Sequence, residues 1–387
     1  MTRDLPAPDL PAVRARVEGF LSEWSGPWLD HVRSLSCETL EPAALSDALL
    51  SAAASAGLLG LEVSPRQGGL GLSFQSKCVV AELLGAADFS LAMTLINSHN
   101  IAAMLARRGS LELCAQWLDP LLRGERVGCT ALTEPSAGSD ATALQTRAHR
   151  VSGGWRLEGE KAWIINADRA DCIHVYAQTE PGSGARGIAS FLVDAHRAGF
   201  ERLPPAPAAS ARALGTGGFR LNGYVCGEAE LIAPPGEAFR AAMDSINGAR
   251  IYVAAICCGM LQSCIDEAAR YGNDRQSFGS PLVQHQGWRW ALAQAAVELD
   301  AARALVASAS LCVDDGLDAR APAARAKVFA TQCAQRQIPA LMHLMGAEGL
   351  VDHRPFQRHL AAAQIASLTD GATEMLLDRI GHEFIRR

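Results

Sequence analysis

The stretch richest in chemistry is Cys129-Thr130-Ala131-Leu132-Thr133-Glu134-Pro135-Ser136-Ala137-Gly138-Ser139-Asp140. It mixes hydroxyls, small side chains and backbone freedom. N–H and O–H groups in such a loop can approach a planar heteroaromatic ring or a phosphate closely. The same composition also makes ordinary turns and helix caps. Thr369-Asp370-Gly371 reads as ordinary turn and cap chemistry that carries a carboxylate. A carboxylate in an apolar, desolvated pocket has its pKa raised toward working pH, where it can act as a general base. Arg275 reads as a solvated cation at a helix end. The 11 cysteines are scattered, with no CxxC pair, and Cys257 and Cys258 are adjacent within a helical pattern. No disulfide framework and no metal site is expected from them. Reduced thiols fit a cytoplasmic protein.

These residues need elements to hold them. From about residue 10 to 125 the pattern is helical. The Ala/Leu-rich stretch 43–59 stops at Gly57 and Gly60, and Pro65-Arg66-Gln67-Gly68-Gly69-Leu70-Gly71 is a glycine-dense loop. Helices resume over 76–86 and 90–106. From about 127 to 233 short runs of β-branched and aromatic residues take over. Residues 149–157, broken by Ser152-Gly153-Gly154, predict a hairpin, and 172–179 and 188–193 predict further strands. Residues 204–207 and 215–218 are connections in what reads as an antiparallel β unit. After Pro234-Pro235-Gly236 the helical period returns. Leu292, Ala295, Leu299, Ala302, Val306, Ala309 and Val313 form one buried stripe; Ile246, Val253, Ile256, Met260 and Cys264 form another. Pro322 suits the first turn of a helix, and Pro339 should kink or end it. Four long helices with short loops imply a bundle. The fold class is α+β, with domains at 1–126 (helical), 127–235 (β) and 236–387 (helical bundle).

With 49% hydrophobic and 20% charged residues among 387, the chain can bury a sizeable core, which excludes wholesale disorder. The net charge of −6, with no basic block, excludes a nucleic-acid binder. No apolar run reaches the ~18 residues of a membrane span. Acid and proline near the N-terminus, in MTRDLPAPDLPAVRARVEGF, leave no export signal.

Leu132-Thr133-Glu134-Pro135-Ser136-Ala137-Gly138-Ser139-Asp140 resembles the first signature of the acyl-CoA dehydrogenase family. Gly159-Glu160-Lys161-Ala162-Trp163-Ile164-Ile165-Asn166 follows at a family-like spacing, and then Arg275-Gln276-Ser277-Phe278-Gly279 with His285-Gln286. Gly68-Gly69-Leu70-Gly71 looks like the family's N-terminal loop, and the likeness runs from about residue 45 to the end. It implies the same order of helices, sheet and helices, with FAD bound between the β unit and the bundle, in a homodimer or homotetramer. It implies that Thr130, Leu132, Thr133, Trp163 and Ile165 contact the flavin. Arg275, Ser277, Phe278, His285 and Gln286 would hold the cofactor of a neighbouring subunit, with Arg275 at its phosphates, and Leu282, His343, Gly346 and Ala347 would also bind the cofactor. Ser139, Asn247 and Arg250 would lie along the substrate.

The implied reaction removes the α-proton of an acyl thioester by a base and passes a hydride from the β-carbon to flavin N5. The base of most relatives is a Glu; the matching residue here is Asp370, one methylene shorter. An alternative base position in some relatives is occupied by Ala249, and Glu374 is not assigned as base. Ile165 stands where many relatives have Thr, Ala372 where they have Thr or Ser, and His343 and Ala347 where they have Gln and Gly. Ala361-Ala362 stand where an Arg-Asp pair is expected. The expected activity is α,β-dehydrogenation of an acyl thioester on CoA or acyl carrier protein, in a specialised biosynthetic role. Electrons would pass to an electron-transfer flavoprotein or another acceptor. The alternatives are a flavin-dependent monooxygenase on the same fold and an inactive flavin-binding relative.

Overall fold

A computed structural model describes residues 10–35, 46–204 and 212–385. The proline-rich connection at 205–207, the start of the 43–59 stretch, Cys37 and the first nine residues lie outside them. In chain order the helices are α1 (Leu10–Ser34), α2 (Asp47–Ser55), α3 (Phe74–Ala87), α4 (Phe89–Arg108), the short α5 (Leu111–Leu113) and α6 (Asp119–Leu122), α7 (Ala238–Asp274), α8 (Gln286–Asp314), α9 (Arg320–Leu344), α10 (Phe356–Leu368) and α11 (Thr373–Gly381). The strands are β1 (Gly128–Ala131), β2 (Arg147–Val151), β3 (Gly154–Ile164), β4 (Cys172–Gln178), β5 (Ile188–Asp194), β6 (Phe200–Arg202), β7 (Gly217–Gly227), β8 (Leu231–Ala233) and the two-residue β9 (Gln276–Ser277) and β10 (Ser280–Pro281). The chain divides into two compact units, Met1–Leu72 with Met93–Ser245 and Ser73–Ala92 with Ile246–Arg387.

The first unit is built on a sheet ordered β6-β7-β3-β2-β4-β5-β8, with β1 added to β4. Most pairs are antiparallel, including the expected hairpin β2–β3, whose turn is Ser152-Gly153 with Gly153 at φ 78°. The β1–β4 pair is parallel, so the sheet is mixed at this point. Its core is a continuous apolar cluster of Leu157, Ile173, Val175, Phe191, Val193, Phe219, Leu221 and Tyr224, all buried.

The second unit is a helical bundle. The Asp314 carboxylate at the end of α8 accepts from the N–H groups of Phe74 at 2.7 Å and Gln75 at 2.9 Å, so a distant acid satisfies the first donors of α3. Within α8 the expected stripe is buried at Ala295, Leu299, Ala302, Val306 and Ala309. Of the kink or end expected at Pro339, the end does not occur; α9 continues to Leu344. Ile338 and Leu341, buried on either side of it, hold the last turns by packing, which offsets the one missing N–H. By length and composition α4 and α7 reach what a membrane crossing needs. However, 72% and 78% of their most apolar windows are buried inside the protein, as in core helices.

Two glycines set the closest helix contact. A Cβ added to Gly259 of α7 would lie 1.9 Å from the Glu82 carbonyl oxygen of α3, and one added to Gly85 would lie 2.6 Å from the Ile256 carbonyl oxygen. These are backbone atoms and cannot swing aside. Gly259→Ala should therefore destabilise the protein by about 2 kcal/mol, overpacking outweighing the gain in helix propensity. Urea unfolding of the two proteins side by side measures it.

Candidate active site

In the first unit, β1 exposes Thr130 while burying Cys129 and Ala131. Leu132 and Thr133 follow, half-buried. This segment is held from below by a buried ion pair. Lys161 Nζ donates to Glu134 Oε1 at 2.8 Å and to the Leu132 carbonyl at 2.9 Å. Glu134 also accepts from the Thr146 N–H at 2.9 Å and from the Gln145 N–H. Burial would push the Glu134 carboxyl up, but Lys161 and these donors bring it below its ordinary value. Desolvation lowers Lys161 to about 8 even against the attraction of Glu134.

Next to this pair β3 is irregular. The Ala162 N–H donates to the Thr133 carbonyl at 3.2 Å, and the register of β3 against β7 shifts between Lys161 and Ile164. Within that shift Trp163 takes φ 60° and is 62% exposed. A strained backbone that turns a large aromatic away from the core is costly unless the ring has a planar partner. Asn166, also left-handed at φ 66°, anchors the far side by donating to the Thr94 carbonyl at 3.0 Å. Ile165 is half-buried. Ser139 is exposed, and the local cap is its neighbour Asp140, which accepts from the Thr142 N–H at 3.2 Å. Thr130, Leu132, Thr133 and the exposed Trp163 thus fit the planar ring of a flavin.

In the second unit Asp370 forms the turn between α10 and α11, with φ 56°, followed by Gly371 at φ 108°. Three consecutive carbonyls of this turn are held by two buried cations. Lys327 Nζ donates to the carbonyls of Thr369 and Gly371. Arg250 Nε donates to the carbonyl of Asp370 at 2.9 Å, and its Nη1 to Asn247 Oδ1 at 2.7 Å. Asn247 and Arg250 are therefore bonded to each other and built into the turn. Desolvation raises the Asp370 carboxyl, opposed by Lys327 and Arg250. Desolvation also lowers Lys327 to about 8 and Arg250 to about 10. Glu374, one turn on, is exposed, and Ala249 is buried.

The remaining expected residues cluster in two places of the same unit. In the β9–β10 hairpin, Phe278 is 97% exposed at φ 50°, and Arg275 is exposed. His285 Nε2 lies 3.1 Å from the Ser277 carbonyl and 3.3 Å from Ser280 Oγ. The Leu282 N–H donates to the Arg275 carbonyl at 2.9 Å, and Gln286 opens α8. His343, Gly346 and Ala347 are exposed at the end of α9. Among the described residues no three His, Cys, Asp or Glu side chains gather where a metal would sit.

Sequence reading passed over Lys327. Its signal was present: a lysine stands at a phase of α9 where the neighbours Ala323, Ala324, Ala326, Val328 and Ala330 are buried. Lysine is almost never fully buried without a partner.

Three family models match the chain: the acyl-CoA dehydrogenase N-terminal domain over residues 8–125, the middle domain over 129–224 and the C-terminal domain over 236–385. The mitochondrial short-chain specific acyl-CoA dehydrogenase of Bos taurus is 31% identical over 321 residues, covering 82% of this chain and 78% of the relative. The short-chain specific acyl-CoA dehydrogenase of Clostridium acetobutylicum is 30% identical, covering 82% and 84%. Among solved structures, butyryl-CoA dehydrogenase from Megasphaera elsdenii matches with a TM-score of 0.86 at 26% identity, over 99% of this chain and 100% of that one. A glutaryl-CoA dehydrogenase from Mycobacterium smegmatis, in complex with FADH2, matches at 0.88 with 25% identity, over 98% and 95%.

Proposed function

The chain belongs to the acyl-CoA dehydrogenase family, whose members are oxidoreductases acting on CH–CH groups, and from that premise we propose that it dehydrogenates an acyl thioester at its α,β bond with Asp370 as base. The observation that carries this reading is the Asp370 turn: an acid with a raised pKa, on a strained backbone fixed by two buried cations. A carboxylate raised by burial is a stronger base than one in water, which suits it to accept a proton.

FAD is the cofactor. When bound it supplies the acceptor for the hydride that leaves the β-carbon. The chain's own part is to take the α-proton on the Asp370 carboxylate, so that the α,β double bond forms as the second C–H bond breaks. Thr130, Leu132, Thr133 and Ile165 hold the ring side, and Trp163 packs on it. Arg275, Ser277, Phe278, Leu282, His285, Gln286, His343, Gly346 and Ala347 serve the cofactor of a second copy in a homodimer or homotetramer. Phe278 supports this, being almost fully exposed on a left-handed backbone at φ 50°, a strain that is kept where it serves a contact. Ser139 lies along the acyl thioester.

The carrier is CoA or an acyl carrier protein, the electron acceptor is an electron-transfer flavoprotein or an equivalent, and the role is biosynthetic. The departures at Ile165, Ala347 and Asp370 support a specialised role. Free, mostly buried thiols support a cytoplasmic location. The test is anaerobic mixing of the oxidised holoprotein with acyl thioesters of both carriers. At least one should bleach the flavin; if none does, the proposal fails.

The Trp163 assignment has its own test. An aromatic stacking contact is worth about 0.5–1.5 kcal/mol beyond buried area, so Trp163→Ala should weaken FAD binding about threefold to tenfold. Because the side chain is largely exposed, unfolding stability should barely change. Flavin fluorescence titration of the deflavinated protein reads the first, thermal melting the second.

A further inference from the structure

Lys327 is 1% exposed on α9, yet its ammonium does not seek a carboxylate partner among the polar groups it bonds. It donates to two backbone carbonyls, Thr369 and Gly371, which flank the one residue between them; Arg250 donates to the carbonyl of that residue. A non-glycine residue at φ 56° is uncommon and persists only where its surroundings over-determine it. Here they do, because every carbonyl from 369 to 371 is tied to a charged donor on another helix.

Asp differs from Glu in a way that makes this matter. Its carboxyl carbon is two bonds from Cα instead of three, so it has one fewer torsion with which to absorb a backbone displacement. Wherever the turn goes, the carboxylate goes. A misplacement of about 1 Å can lower a rate about 10²-fold.

We infer that Lys327 is the positioning residue for Asp370: it clamps the turn from both sides, so that an acid one methylene short of a glutamate is held where proton abstraction needs it. This rests on the reading of Asp370 as base, but the clamp itself is a property of the turn and can be measured without any substrate. Lys327 faces Asp370 from the α10–α11 turn and Arg250 and Cys257 from α7, while Arg379 of α11 bears on Arg250. Its pKa, lowered to about 8, means that the clamp loses its charge in mildly alkaline solution.

The test compares FAD-loaded wild type, Lys327→Met and Lys327→Arg. In K327M, amide hydrogen exchange in the segment 369–373 should speed up at least tenfold relative to the rest of the bundle, and K327R should restore most of the protection. With a thioester that bleaches wild type, flavin reduction in K327M should slow by about 10²-fold at unchanged thioester affinity, and its acid limb should move to higher pH as a positive charge leaves Asp370. Unchanged exchange in K327M overturns the clamp. If K327M does not fold, wild type against K327R decides. Protection of 369–373, corrected for intrinsic exchange, should fall above pH about 8 in wild type and persist in K327R. An identical profile in both overturns the inference. Asp370→Asn separates the two readings: a variant that still bleaches at the wild-type rate removes Asp370 as base, while the exchange result stands by itself.

Discussion

Asp370→Asn should leave a folded, yellow protein whose flavin is reduced by acyl thioesters about 10³-fold more slowly than in wild type. The size follows from what a positioned general base contributes, about 10²–10⁴-fold. The substitution isolates the carboxylate unusually well. Lys327 and Arg250 bond the backbone carbonyls of residues 369–371, and none of those bonds involves the side chain that changes. The turn should therefore keep its shape, and FAD content and thermal stability should match wild type. The pH profile supplies the second check. A base works only when deprotonated, so wild-type flavin reduction should fall as pH drops through the raised pKa of Asp370, above the ordinary carboxylate range. In D370N that acid limb should vanish. Stopped-flow absorbance at the flavin band, from pH 5 to 9, measures both. A D370N protein reduced at the wild-type rate would transfer the base to another group, and exposed Glu374 is the nearest acid along the chain.

Much of this site was readable before any coordinates because its chemistry resides in short contiguous segments. The hydroxyl-rich loop at 129–140 announces itself by residue type, and the segments at 159–166, 275–286 and 369–371 stand out by their likeness to the family's motifs. What could not be read is conformational. Trp163, Asn166, Phe278 and Asp370 are the non-glycine residues with positive φ among those described, and all four fall in those segments. Nothing in the identity of a tryptophan or a phenylalanine signals a left-handed backbone, and an aspartate only tolerates one; the packing around each decides. The contributions of distant residues were hidden for the same reason. Lys327 lies 43 residues from Asp370 along the chain and reaches it only because α9 packs beside the turn before α11. At Pro339 the local rule allowed a kink or an end, and the buried neighbours Ile338 and Leu341 keep the helix from ending there.

The Lys161–Glu134 pair carries the second large effect, this time on stability. Both side chains are buried, at 0% and 2% exposure, and they sit under the loop that presents Leu132 and Thr133. Removing one partner of a buried pair leaves the other charge desolvated and uncompensated, at a cost of about 3–5 kcal/mol. Lys161→Met should therefore destabilise the first unit by that amount, because Glu134 keeps the backbone donors of Thr146 and Gln145 but loses its only bonded cation among the described residues. Glu134→Gln should cost about as much for the mirror reason, with Lys161 left to the single carbonyl of Leu132. The double variant K161M/E134Q should lose less than the sum of the two, the sign of direct coupling. The pH dependence also has a definite direction. The folded-state pKa of Glu134 lies below its unfolded value, so its contribution is fully present above the unfolded pKa and is lost as pH falls through the folded one. Wild type should therefore lose stability on acidification, and E134Q should lose less over the same range. Urea unfolding at neutral and acid pH, followed by tryptophan fluorescence, gives all four values. Additive losses in the double variant would show that the two charges do not act as a pair.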